Sequence, residues 1–435
     1  MANRLRARRC KGGQLMRALL FISIVVLAAA APTFSQTIAI TGGKIYPVSG
    51  APLTNGTVLI KDGMIVAVGS QVNVPAGAQR IDARGKIVTP GLINSVTELG
   101  VIEIDQVRNT NDVSAKGNNN IAAAFRVWDG LNAGSALFAP TRNEGITTVV
   151  VVPEGGLVSG QAAAIDLVNG HSTDMVRRPA VAMVAQMDNA NGAGTSARGE
   201  LIGKLRTLLD DVILFRSSRG EYERGALRTL SASRTDLEAL IPVVDGKLLL
   251  LIEANRMDEI DAALELAHDY HLKLGITGAA EAWLCADRLA AAHVPVLTGA
   301  MSNIPESFAT LNQRQENAAL LRKAGVQVVI VATGGSDVTR YNARNIKYEA
   351  GNAVAYGMSY DDALRAVTLG PAELFGLSDR IGSLQSGREA NVVIWSGDPF
   401  EFSTQAEHVF IRGREVKEPS RQDLLIERYK PKTQR

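Results

Sequence analysis

The chain has 435 residues, 46% of them apolar and 21% charged, with a formal net charge of +2. That balance excludes a nucleic-acid partner gripped by a basic face, and the length leaves room for roughly two or three domains with an ample core. Only two cysteines are present, Cys10 and Cys285, too few for a disulfide framework.

Arg4, Arg6, Arg8, Arg9, Lys11 and Arg17 precede an almost wholly apolar run from Ala18 to Ala31, and small residues follow. A basic segment, a short apolar segment and a cleavage point near Ala31 or Ser35 read as a secretory signal peptide over residues 1–35, which places the mature chain in the periplasm. The apolar run is shorter than the ~20 residues of a spanning helix, so no membrane contact is expected after cleavage. Losing the six basic residues takes the net charge from +2 to −4. Cys285 is then the one remaining thiol and reads as a buried core residue.

Residues 36–89 carry short strands and turn signals. Thr57 to Lys61, Asp62-Gly63 and Met64 to Val68 spell a hairpin. The same vocabulary returns over residues 384–417, with a strand at Ala390 to Trp395 and a hairpin turning at Arg412-Gly413. Strands at both ends predict one small β-domain built from the two termini. Residues 418–435 read as a polar, loosely held tail.

Residues 90–383 alternate apolar runs with amphipathic segments. Thr147 to Val152, Val181 to Ala185, Leu248 to Ile252, Lys273 to Ile276, Val294 to Leu297 and Val326 to Val331 predict strands. Asp258 to Tyr270, Asn317 to Lys323 and Asp361 to Val367 predict helices. Repeated β-then-α units predict parallel strands buried on both faces. Eight units would close a barrel, and periodicity alone leaves an open doubly wound sheet as the alternative. Two long polar stretches, Arg108 to Asn120 and Asp188 to Glu200, are expected as site-forming loops on the C-terminal face of such a barrel.

Several blocks resemble the amidohydrolase superfamily. Thr89 to Gly100 reads TPGLINSVTELG, the frame in which relatives place PGLID-x-H-x-H. The run from Asp129 to Leu167 is similar to a stretch of imidazolonepropionase-like amidohydrolases. ALRAVTLGPAELFGL, RIGSLQSGREANVVIWSGDPF and VFIRGREV follow in order at the C-terminal end. The resemblance implies an α/β fold, a TIM-like (β/α)8 metal-dependent-hydrolase barrel with a composite β-sandwich. It also implies hydrolysis of non-peptide carbon–nitrogen bonds at a mono- or dinuclear metal centre.

That chemistry needs imidazole and carboxylate ligands with one position left open for water. Matched position by position, the histidine pair of strand one is Val96 and Glu98, and Asn94 stands in the aspartate place. The midway lysine falls near Asp166, the strand-five histidine on Glu253 and the strand-six histidine near Gly278. The proton-shuttling aspartate lies near Gly334 or Asp337. The five histidines, His171, His268, His271, His293 and His408, follow no barrel strand at a ligand position. A dinuclear zinc centre is therefore not expected. Glu98, Asp166, Glu253 and Asp337 would instead gather acid at the barrel mouth. Either a hard divalent cation such as Mg²⁺, Mn²⁺ or Ca²⁺ sits among them, or Arg256, Arg340 and Arg344 pair with them.

Asp337, Glu253 and Glu98 are the catalytic candidates, and Gln161, Asn255 and Arg256 the substrate-binding ones. The glycine-rich GGLVSGQ and ATGGSD lack the Lys-Ser/Thr of a phosphate loop, and no G-x-S-x-G elbow occurs. Two functions stay open. One is a hydrolase of amide-like or cyclic C–N bonds with a carboxylate-rich site. The other is a catalytically silent homologue that binds a small molecule, alone as a homo-oligomer or as partner subunit of an active amidohydrolase.

Overall fold

The computed structural model describes residues 37–104, 106–115, 120–187, 197–305, 307–332, 342–416 and 419–430. Residues 1–35, read above as a signal peptide, and Asp337 and Arg340 fall outside the described residues.

The first strands are β1 (Thr37–Ile45), β2 (Leu53–Lys61), β3 (Met64–Gly69), β4 (Gln79–Asp82) and β5 (Ile87–Pro90). A second series follows: β6 (Leu92–Thr97), β7 (Ile146–Val151), β8 (Val158–Asp166), β9 (Val176–Gln186), β10 (Leu249–Ala254), β11 (Leu274–Gly278), β12 (Val296–Thr298) and β13 (Val328–Ile330). Then come β14 (Val392–Trp395), β15 (Ala406–Ile411) and β16 (Arg414–Val416).

The first five and last three strands form one sheet, ordered β16-β15-β14-β5-β1-β2-β3 with β4 beside β1. The two ends of the chain meet where β5 pairs antiparallel with β14, Val88 opposite Ile394. The sheet closes over its own core, in which Ile40, Ile60, Val88, Val392, Ile394 and Phe410 pack together. Both hairpins turn where the sequence places them, at Asp62-Gly63 and Arg412-Gly413, all four residues having positive φ.

The other sheet holds eight strands in the order β13-β12-β11-β10-β9-β8-β7-β6, and β13 comes back beside β6 to make a nearly closed barrel. Its lumen is filled by Ile93, Val150, Ala164, Val184, Leu251 and Val329. The residues between them, such as Val149, Met183, Leu250 and Ile252, face the outer helices, which explains the continuous apolar strands.

The expectation of parallel strands throughout is corrected at β8. This strand runs antiparallel to both β7 and β9. Only six residues join β7 to β8, through Gly155 and Gly156 at φ +87° and +74°. A parallel crossover needs about a dozen residues, so the chain has to turn back on itself.

Two other expectations change. The polar stretch from Asp188 ends in the helix Arg198–Ser217, whose Leu201, Leu205, Leu208 and Val212 are buried, and residues 188–196 lie outside the described ones. Residues 421–429 form a helix rather than a tail, because Ser420 and Asp423 make a reciprocal cap. That helix buries none of its residues.

Candidate functional site

The C-terminal ends of the parallel strands define one end of the barrel, the mouth. Here β9, β10 and β11 run in register. Gln186 stands opposite Glu253, and Glu253 opposite Thr277. Alternation from Val184 and Leu251, both in the inner core, turns Gln186 and Glu253 into the lumen. Gln186 is 2% exposed, and its Nε2 donates a long bond of 3.4 Å to Glu253 Oε2. Its Oε1 is buried and accepts no hydrogen bond from the described residues.

The turn after β10 is fixed by a buried carboxylate. Glu259 accepts from the backbone N–H groups of Asn255 at 3.0 Å and Arg256 at 3.1 Å, and it pairs with Arg198. Asn255 lies against Gly278 at the end of β11, where φ is +78°. A Cβ on Gly278 would stand 2.6 Å from Asn255 Oδ1, so this position has no room for a side chain as the turn is built. Thr298 donates to the Gly278 carbonyl at 3.1 Å.

Two more acids brace the rim. Glu281 accepts from the Met257 N–H at 2.8 Å and from Asn312 Nδ2 at 2.7 Å. Glu349 accepts from the N–H groups of Ala300 at 2.6 Å and Met301 at 2.7 Å. Glu259, Glu281 and Glu349 thus hold three mouth loops by their backbones. Only Glu259 had a sequence signal, its place three residues into a helix start. Glu281 and Glu349 bind backbone amides distant in the chain, which carry no residue identity.

On β6 strict alternation of side chains fails. A register shift falls between Asn94 and Thr97. Asn94 pairs with the outward Val149 and donates to the Ala343 carbonyl at 3.3 Å, whereas Val96 packs on the inner core. Asn94 and Val96 therefore do not share a side. Glu98 follows directly after this strand, 1% exposed, on the same rim as Glu253.

Asp166 is not at the mouth. Because β8 runs backwards, its last residue lies at the opposite end, beside Thr148 near the start of β7. Arg177 Nε donates to Asp166 at 2.8 Å, Arg412 Nε at 2.7 Å and Thr148 Oγ1 at 2.8 Å. Arg177 also pairs with Glu389, which Arg380 Nη2 meets at 2.6 Å. Burial pushes the Glu389 carboxyl up, but the Arg177 and Arg380 guanidiniums outweigh it and hold it below the usual range. These five charges join the barrel floor to the small domain.

Two substrate-binding candidates are also placed elsewhere. Gln161 Nε2 donates to the Ala123 carbonyl at 3.0 Å, pinning a loop outside the lumen. Arg256 begins the helix Met257–Tyr270, where its Nη2 reaches Asp258 at 3.3 Å. Asn255 remains beside Glu253 and Gly278.

All five histidines are described, and none stands at the mouth. His171 caps the short helix after β8, His268 and His271 end the helix Met257–Tyr270, His293 precedes β12 and His408 lies on β15. No group of three His, Cys, Asp or Glu side chains among the described residues is arranged to hold an ion. The oxygen donors at the mouth do not fit an imidazole-held zinc pair. Cys285 is buried, and burial pushes its thiol up, away from the range of a nucleophile.

The sequence profile of the amidohydrolase family matches residues 246–416, from the strand that carries Glu253 to the last strand of the small domain. This stretch, about two fifths of the chain, is similar to the amidohydrolase family. Amidohydrolase tasK of Hapsidospora irregularis is 22% identical over 391 residues, 82% of this chain but only 39% of that protein. An imidazolonepropionase of Mesorhizobium japonicum is 25% identical over 378 residues, covering 78% of this chain and 86% of the relative. A crystal structure of an amidohydrolase from Thermotoga maritima superposes with a TM-score of 0.79 at 23% identity, over 88% of this chain and all of that one. The fold is that of an amidohydrolase barrel with its attached β-domain.

Proposed function

We propose that the barrel mouth is the functional site, and that it takes a small molecule with an amide-like carbon–nitrogen bond and hydrolyses it without a histidine-held zinc pair. The family places hydrolysis at this end of the barrel, and the register Gln186–Glu253–Thr277 supports the reading by lining the lumen there with polar side chains. In this reading Glu253 takes the proton from the attacking water, with Glu98 on the same rim and Asp337 as further acids. The test is a panel of lactams, cyclic ureides and linear amides given to the full chain. Turnover of at least one is expected, falling at least ~100-fold in Glu253→Gln with the circular-dichroism spectrum unchanged. Turnover that survives Glu253→Gln would remove Glu253 from the chemistry.

The placement of the histidines favours a second reading. The chain then binds the same class of molecule without turning it over, alone or as partner subunit of an active homologue. Saturable binding by calorimetry with no turnover decides for this reading. Absence of both binding and turnover overturns both.

A further inference from the structure

Gln186 is one of the side chains near the mouth with a buried polar atom left unpartnered among the described residues, with Ser159 and Asn317, and it is the one that stands in register with Glu253. Gln186 is 2% exposed, and the one side-chain hydrogen bond it makes among the described residues is the 3.4 Å contact from Nε2 to Glu253. The carbonyl oxygen Oε1 has no donor among the described residues. Folding rarely leaves a buried acceptor bare, because the group gives up water and gains nothing in return. Among the described residues, the strand partner and the layer beneath offer no donor. Register puts Glu253 on one side, an acceptor, and the inner core below consists of Ala182 and Val184. The long Nε2 contact also leaves the second amide hydrogen free to donate. A carboxamide in this state offers one acceptor and one donor on a single planar edge.

We infer that Gln186 is a specificity-determining residue that reads the N–H edge of the bound molecule: Oε1 accepts from a ligand nitrogen, and Nε2 donates to the carbonyl beside it. The inference rests on the proposed use of the mouth as a ligand site and adds which feature of the ligand is recognised. The ligand class is then an amide or ureide with at least one free N–H, in preference to its N-alkylated or ester counterpart. Removing that hydrogen leaves the buried oxygen bare in the complex, which is why such sites discriminate strongly.

The matched probes are 2-imidazolidinone, with two N–H groups, and 1,3-dimethyl-2-imidazolidinone, with none. Binding of each to the full chain is followed by calorimetry and by ligand-observed NMR. The parent is expected to bind at least about tenfold more tightly, about 1.4 kcal/mol. In Gln186→Leu the preference should vanish while the protein stays folded, since the substitution replaces an unsatisfied amide by an apolar group of similar size. Gln186→Glu, which keeps an acceptor, should retain the preference. Equal binding of the two probes by wild type, or a preference that survives in Gln186→Leu, overturns the assignment to Gln186 while leaving the mouth as the binding site. No saturable binding of either probe overturns the inference as well. A panel hit on another amide would in that case still support the mouth as the site, so the two failures are distinguishable.

Discussion

Asp166 shows how one residue changes meaning with the direction of its strand. Read along the sequence, it falls where relatives hold a metal-binding lysine. In the fold it is fully buried under Arg177 and Arg412, at the other end of the barrel. Removing one partner of a buried ion pair costs more than the pair contributes, because the remaining charge stays dry. Asp166→Asn is therefore expected to destabilise the chain by about 3 kcal/mol in urea unfolding, with ligand binding at the mouth unchanged among folded molecules. A cost near zero would show that Glu389 alone suffices for Arg177. The hairpin turns and most strand centres were legible because Asp-Gly, Arg-Gly and apolar runs act through their nearest neighbours. The position of Asp166 was not, since it depends on a connection length twenty residues of pattern reading do not weigh. Gln186 was missed for a similar reason: a single glutamine at a strand end carries no motif, and its unpartnered oxygen exists only in three dimensions.

At the scale of the element, the mouth is made by strand ends and the turns that follow them. The turn after β11 is the tightest. Gly278 has the left-handed φ of +78° and sits 2.6 Å from Asn255 when given a Cβ. Gly278→Ala is expected to cost about 1–3 kcal/mol, measured by thermal unfolding, and to loosen Asn255. Any larger side chain there meets the same positive φ and has to displace the Asn255 amide. The antiparallel β8 was hidden because its composition, Val, Ala and Ile, is that of any buried strand; only the six-residue link through Gly155 and Gly156 betrays its direction. The register shift in β6 was equally silent, and it separates Asn94 from Val96 despite their spacing of two.

For the whole molecule, the barrel and its attached sheet follow from strands at both ends enclosing β–α units between them, a pattern that was plain in the sequence. In the proposed reading, what the molecule binds is decided by a few side chains at the mouth. The purified chain is expected to hold less than one zinc per molecule by elemental analysis, and added zinc is expected to leave its unfolding temperature within about 2 °C, since a ligand raises stability only by binding the native form. One or two zinc ions held per chain would contradict the donor assignment made here. The pairing of β5 with β14 has a further consequence for how the protein is made. A ribosome delivers Ile87 to Pro90 long before Val392 to Trp395, so the nascent chain carries an open edge and an incomplete apolar layer through nearly all of its synthesis. The small domain is the first to be started and the last to be finished, and any message truncated ahead of Val392 yields a product that cannot complete it.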